Sequence, residues 1–216
     1  MNDFERKVKT TIHEYKHAFF DDPKKYLLPI LHKGEVVGQL RPVPARLEGV
    51  AAKDALLQTE WRNLHMNSFI APPFVATEER TKKWLANTYD HNDEIIIFMI
   101  ESADGVPVGH VGLSDFEFDR EAAEVGRLLR GTHAPLEIKK RVNLVELGFN
   151  RMVAWGYEVL GVKIMTGRGF ADNFLAVRMN AKNGMHPVAN HFIEKEGKPI
   201  QMVNYEGTPA TFERLS

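Results

Sequence analysis

The stretch Ala123-Glu124-Val125-Gly126-Arg127-Leu128-Leu129-Arg130-Gly131-Thr132-His133-Ala134-Pro135 decides the fold. Its first half is apolar enough for a strand. Its second half carries glycine, threonine and then proline, the signals of a turn that opens a helix. Ile138, Val142, Val145, Leu147, Met152, Val153 and Trp155 follow with helical spacing, so a long helix is expected from Pro135 onward. A helix N-terminus presents unpaired backbone N–H groups and the positive end of a dipole, so a short loop feeding it is a natural phosphate cradle. Arg130 adds a cation there, and Gly131 lets a phosphate approach the backbone. An ordinary strand-to-helix turn with a surface arginine has the same local sequence.

Upstream, Glu94 to Ile100 and Val106 to Phe116 read as strands joined at Asp104-Gly105, and the strand from Ala123 follows after a short turn. Thr77, followed by Glu78 and Glu79, caps a helix running to about Tyr89. A helical pattern from about Leu47 to Leu64 precedes it. Nearer the N-terminus, Phe4, Val8, Ile12, Tyr15 and Phe19 form the stripe of an amphipathic helix. The runs Tyr26 to Leu31 and Val36 to Leu40 then make a hairpin about Gly34. Downstream, Val162 to Met165 is a strand, Asp172 or Asn173 caps a further helix stopped by Gly184, and two strands close the chain around Glu196-Gly197-Lys198. This order predicts an α+β fold, a mixed and largely antiparallel sheet flanked by helices with an extra N-terminal helix, not a doubly wound one.

Composition narrows the function. A chain of 216 residues fits one large domain or one domain with an appendage. With 28 Lys+Arg against 29 Asp+Glu there is no global electrostatic reason to bind nucleic acid or a membrane. Zero cysteines exclude a disulfide framework, a cysteine nucleophile, thiolate zinc sites and iron–sulfur clusters. The apolar runs are short and the N-terminus lacks a signal core, so a soluble, cytoplasmic protein is expected.

The order and spacing of several short segments resemble the GNAT superfamily of acyl-CoA-dependent N-acetyltransferases. They are Leu40-Arg41-Pro42, Trp61-Arg62-Asn63, Thr77-Glu78-Glu79, Trp84-Leu85, Phe98 to Glu101, Gly109 to Leu113, Glu124-Val125-Gly126, Arg130-Gly131, Asp172-Asn173 with Ala176, and Lys182 to Met185. The resemblance covers about residues 38 to 210, leaving 1–37 as an N-terminal helix and hairpin start before a domain at 38–216. It implies acetyl-CoA as co-substrate, with Leu128 and Leu129 pairing along the pantetheine arm. Arg130, Gly131, Thr132, His133 and Ala134 would hold the pyrophosphate, and Asn173 and Ala176 would lie beside the cofactor. Glu124 falls where several members place the carboxylate that deprotonates the amine. The family's phosphate loop has small residues where His133 and Pro135 stand here, and its frequent tyrosine general acid is replaced by Asn180.

His110 is expected near the transfer point, or else as a hydrogen-bonded core histidine. His65, Asn67 and Tyr89 are expected near the acceptor pocket. The expected acceptor is a small-molecule amine, with a nucleotide-linked amino sugar preferred; a protein N-terminus and a non-catalytic acyl-CoA-binding role are the alternatives. The N-terminal helix is expected to pack on the domain or on a second subunit, which would make a homodimer. His13-Glu14-Tyr15-Lys16-His17 also fits H-E-x-x-H, the zinc-hydrolase pattern. It stands too near the N-terminus for the usual flanking sheet, and only Glu35 offers a conceivable third ligand, so no metal is expected.

Overall fold

The computed structural model describes residues 1–45, 49–66, 69, 73–131 and 143–215. The N-terminal stripe folds as α1 (Asp3–His17), started by Asn2, whose side chain accepts from the Glu5 amide at 2.7 Å. Strands β1 (Leu28–His32) and β2 (Glu35–Pro42) form the expected hairpin, and its turn needs positive φ at Lys33 and Gly34. Helix α2 spans Val50–Leu64. Helix α3 (Glu78–Trp84) begins at the Thr77 cap and continues as a π-helical turn over Leu85–Tyr89. Then come β3 (Ile96–Ser102), β4 (Pro107–Glu117) and β5 (Ala122–Arg130). Helix α4 (Leu144–Trp155) crosses to β6 (Ile164–Phe170), followed by α5 (Phe174–Lys182), β7 (His186–Lys195) and β8 (Lys198–Gly207).

Among the described residues the strands make one eight-stranded sheet, ordered β1-β2-β3-β4-β5-β6-β8-β7. Every neighbouring pair is antiparallel except β5 with β6. The expected α+β class is therefore present. Residue 38, where the domain was expected to begin, lies inside β2.

One expectation is corrected. The helical run expected up to Trp155 is not continuous: α4 opens at Leu144, because Asn143 has non-helical torsions (φ −81°, ψ 80°) and its side chain accepts from the Glu146 amide. The expected helix start at Pro135 lies outside the described residues.

The sheet is covered on both faces. On one, α1 supplies Phe4, Val8 and Ile12, and α4 supplies Phe149, Met152, Val153 and Trp155, against Leu40, Phe98, Ile100, Leu113 and Val125. Trp155 donates to the Tyr15 hydroxyl at 3.1 Å, so α1 belongs to the same core as the sheet. On the other face, Ala55 and Trp61 of α2 and Leu85 and Tyr89 meet Val43, Ile97, Met99 and Leu129. A buried ionic clasp fixes α2 to the sheet. Arg41 on β2 grips Asp54 on α2 with two hydrogen bonds of 2.9 and 2.7 Å, and its Nε donates to Glu101 on β3 at 2.6 Å.

Removing one partner of such a clasp strands the others as uncompensated buried charges. Arg41→Ala should cost about 3–5 kcal/mol in urea unfolding; a loss below about 1 kcal/mol would show that the clasp contributes little to stability.

Candidate active site

The site begins with a defect in β5. His110 pairs with Leu129 and Gly112 with Gly126, so Arg127 and Leu128 together oppose Val111. Two residues against one is a β-bulge, and Arg127 adopts φ 49° there, an unusual torsion for a residue with a side chain. A bulge bends its strand. Accordingly β5 pairs with β6 only at Ala122, Ala123 and Glu124, opposite Ile164, Met165 and Thr166. Beyond Glu124 the two strands share no further pairs among the described residues, although β6 remains paired with β8 as far as Phe170. The result is a fork in the sheet whose β5 edge can take an extended polar ligand by strand-like hydrogen bonding.

Several expected residues gather at this fork. Glu124 pairs with Ser114, and Gly112 and His110 follow on the same face of β4 by alternation, the face that carries α2 and α3. The Glu124 carboxylate receives a 2.5 Å ion pair from Arg168 on β6. Burial raises its pKa and Arg168 pulls it back, leaving it above the ordinary glutamate value. Asn180 on α5 is buried, and its Oδ1 would stand 3.2 Å from a Cβ at Gly167, the residue after the last β5–β6 pair on β6. Asn173 caps α5 by accepting from the Ala176 amide, and the Ala176 Cβ would touch a Cβ at Gly169. The motif Asn-x-x-Ala thus has a structural duty at this position.

His110 is buried and stacks on Trp61, their ring centroids 6.1 Å apart. Burial pushes its pKa down to about 4, against a backbone hydrogen bond at Arg127 that favours the charged form. It is therefore neutral near pH 7. Its Nδ1 and the Trp61 Nε1 are both buried without a hydrogen-bond partner among the described residues. Gly131 allows the Trp61 ring to lie here, since a Cβ would come within 2.7 Å of it. His65 closes this side, its Nε2 2.8 Å from the Arg130 carbonyl oxygen. Leu128 packs on the α4 side and Leu129 on the α2 side, while the Arg130 side chain is exposed.

Tyr89 is placed differently from expectation. It is fully buried, donating to the Val43 carbonyl at 2.9 Å and accepting from the Ile97 amide at 3.3 Å, so it supports the sheet and does not bound a pocket. Asn67, Thr132, His133 and Ala134 lie outside the described residues.

A further group was missed. Arg62 of α2 stacks its guanidinium on Phe69 at 4.2 Å and Phe74 at 4.3 Å, and Arg80 of α3 stacks on Phe74 at 4.7 Å. Arg127 lies 5.8 Å from the Trp84 ring. The three cations feel one another, since burial first and then the charges of Arg127 and Arg80 lower the pKa of Arg62. Among the described residues none of them forms a salt bridge. They come from three separate elements, which is why their grouping left no local motif.

No family model matches the sequence, and no curated protein is matched by it. Solved structures do match its fold. The spermidine/spermine N-acetyltransferase SpeG from Vibrio cholerae is 15% identical, with a TM-score of 0.62 over 79% of this chain and 93% of that one. A probable acetyltransferase of the GNAT family from Chromobacterium violaceum is 14% identical, with a TM-score of 0.64 over 85% and 87% of the respective chains. The apo form of FdhC, described as a nucleotide-linked sugar GNAT, is 18% identical, with a TM-score of 0.60 over 81% and 88%. The chain shares its fold with these structures.

His110 also makes stability depend on pH. Because its folded pKa of about 4 lies below the ordinary value of 6.5, the unfolded chain binds the extra proton between them. Its contribution is present above pH 6.5 and is lost as the pH falls toward 4. Urea midpoints at pH 7 and 4.5 should differ more in the wild type than in His110→Gln; equal differences would refute the assignment.

Proposed function

We propose that this chain is a cytoplasmic N-acetyltransferase that moves an acetyl group from acetyl-CoA directly to the primary amine of an anionic small molecule, a nucleotide-linked amino sugar. The fold and the fork support the co-substrate. The pantetheine amides would pair along the open β5 edge at 125–130, beside Leu128 and Leu129. The pyrophosphate would meet Arg130 and Gly131 at the end of β5, with Thr132, His133 and Ala134 after them, where a guanidinium can pair with phosphate oxygens. Asn173 and Ala176 would border the cofactor from β6.

One observation carries the acceptor class: the three arginines without salt bridges among the described residues, set on aromatic rings on the α2 and α3 side of the sheet. Guanidinium groups match phosphate oxygens bidentately, and the Phe69 and Phe74 rings add flat apolar surface for a nucleobase. A polyamine such as the substrate in the SpeG name is cationic at neutral pH and would be repelled. The named chemistry of FdhC fits this surface better.

In this reaction the protonated amine must first lose a proton. Glu124 accepts it, directly or through water, helped by the burial that raises its pKa. The amine nitrogen then attacks the thioester carbonyl carbon, the C–S bond breaks, and the second proton, shed by the nitrogen as the amide forms, passes through water to the departing CoA thiolate. Asn180 would hydrogen-bond the sulfur through its side-chain amide. His110, neutral and with no partner for its Nδ1 among the described residues, would meet the acceptor as a hydrogen-bonding group and not as a cation.

Thiol release from acetyl-CoA, assayed with nucleotide-linked amino sugars, spermidine, aminoglycosides and N-terminal peptides, should occur with the nucleotide-linked sugars. Turnover of spermidine or of peptides in their place would overturn the acceptor class. Glu124→Gln should lower kcat by about 100-fold or more, and an unchanged kcat would remove Glu124 from the chemistry. Arg62→Ala and Arg80→Ala should each raise the acceptor KM by about tenfold, with kcat nearly unchanged, as expected for lost charge-assisted hydrogen bonds.

A further inference from the structure

His13 and His17 stand one helical turn apart on α1, so both imidazoles leave the same side of the helix. Their ring centroids are 4.2 Å apart. The loop before β3 brings Asp93 to them, with His13 Nδ1 and Asp93 Oδ2 separated by 3.2 Å. One ligand atom from each of the three residues lies within 4.8 Å of the others, and no other His, Asp and Glu group among the described residues converges this way.

Among the described residues, two atoms of this group are buried without a hydrogen-bond partner, His17 Nε2 and Asp93 Oδ1. Asp90 Oδ1 stands 3.5 Å from His17 Nε2, too far for a good hydrogen bond. Buried polar atoms left in that condition cost free energy unless something meets them. The neighbouring ammonium of Lys16 does not do so, because it is held on the carbonyls of Tyr89 and Asn92 at 2.6 and 2.7 Å.

We propose that His13, His17 and Asp93 bind one divalent transition-metal ion of the zinc class, completed by water, which clamps α1 to the loop before β3. Two imidazoles and a carboxylate suit zinc and its neighbours, whereas magnesium and calcium favour all-oxygen sets. Bonds of about 2.0–2.1 Å around tetrahedral zinc place ligand atoms about 3.3 Å apart. The 3.2 Å between His13 and Asp93 is already close to that spacing. The site is structural and not hydrolytic. The Glu14 carboxylate of the H-E-x-x-H pattern accepts from Lys25 Nζ at 2.7 Å and from the Tyr26 hydroxyl at 2.9 Å, so it is not aimed at a metal-bound water. Glu35 pairs with His32 in the hairpin and takes no part.

The test uses the full chain without a histidine tag, stripped with a chelator, titrated with zinc chloride and then desalted for metal analysis. One equivalent of zinc should be retained and should raise the melting temperature, with no such rise from magnesium chloride. His13→Gln, at a side chain that is 60% exposed, should keep the metal-free melting temperature and weaken zinc binding at least about tenfold; Asp93→Asn should weaken it equally. No retained zinc in the wild type, zinc binding in both variants as tight as in the wild type, or equal stabilisation by magnesium would each overturn the proposal. None of these readouts depends on acetyl transfer.

Discussion

The bulge at Arg127 is the constraint on which the site depends. Without it β5 would stay beside β6 along its length, as parallel neighbours do, and the sheet would present no opening. With it, β5 can keep its antiparallel bonds to β4 as far as Arg130 while leaving β6 after Glu124. The close approach of β4 to its neighbours depends on glycine: a Cβ at Gly109 would lie 2.5 Å from the Leu129 carbonyl oxygen, and one at Gly112 would lie 2.4 Å from that of Ile96. The bend is thus held between a tightly packed strand on one side and an open edge on the other.

Packing on the two faces then divides the labour. The face carrying α1 and α4 is a continuous apolar core, which makes the sheet rigid where it forks. The face carrying α2 and α3 is smaller and mixes aromatic rings with arginines and a buried neutral histidine. A chain of formal charge −1 can therefore present a strongly cationic surface to one ligand while having no basic face as a whole. The clasp of Arg41, Asp54 and Glu101 holds α2, and with it Trp61, Arg62 and His65, in register with the strands that bear Glu124 and His110.

Most of the architecture was legible in the sequence because it is written in local patterns. The strand order through β3, β4 and β5, the glycine hairpin at the start and the capped helix at Thr77 all follow from spacing and turn residues within a few positions. The bulge was not legible: the run from Ala123 to Leu129 reads as one uninterrupted strand, and nothing in it marks Arg127 as left-handed. The break at Asn143 is not legible because Ile138, Val142 and Val145 read as one apolar stripe across it. Tyr89 reads in sequence as a pocket residue, but its buried hydroxyl spans Val43 and Ile97. The convergence of Arg62, Arg80 and Arg127, like that of Asp93 on two histidines some 80 residues earlier, exists only in three dimensions.

Amide hydrogen exchange with and without acetyl-CoA tests the central claim, that the gap between β5 and β6 is the acyl-CoA site. The backbone amides at 125–130 on the fork edge should exchange more slowly when the ligand binds, while the exposed outer strand β7 is unaffected. Binding with no protection at 125–130, or with protection confined to another edge of the sheet, would contradict it.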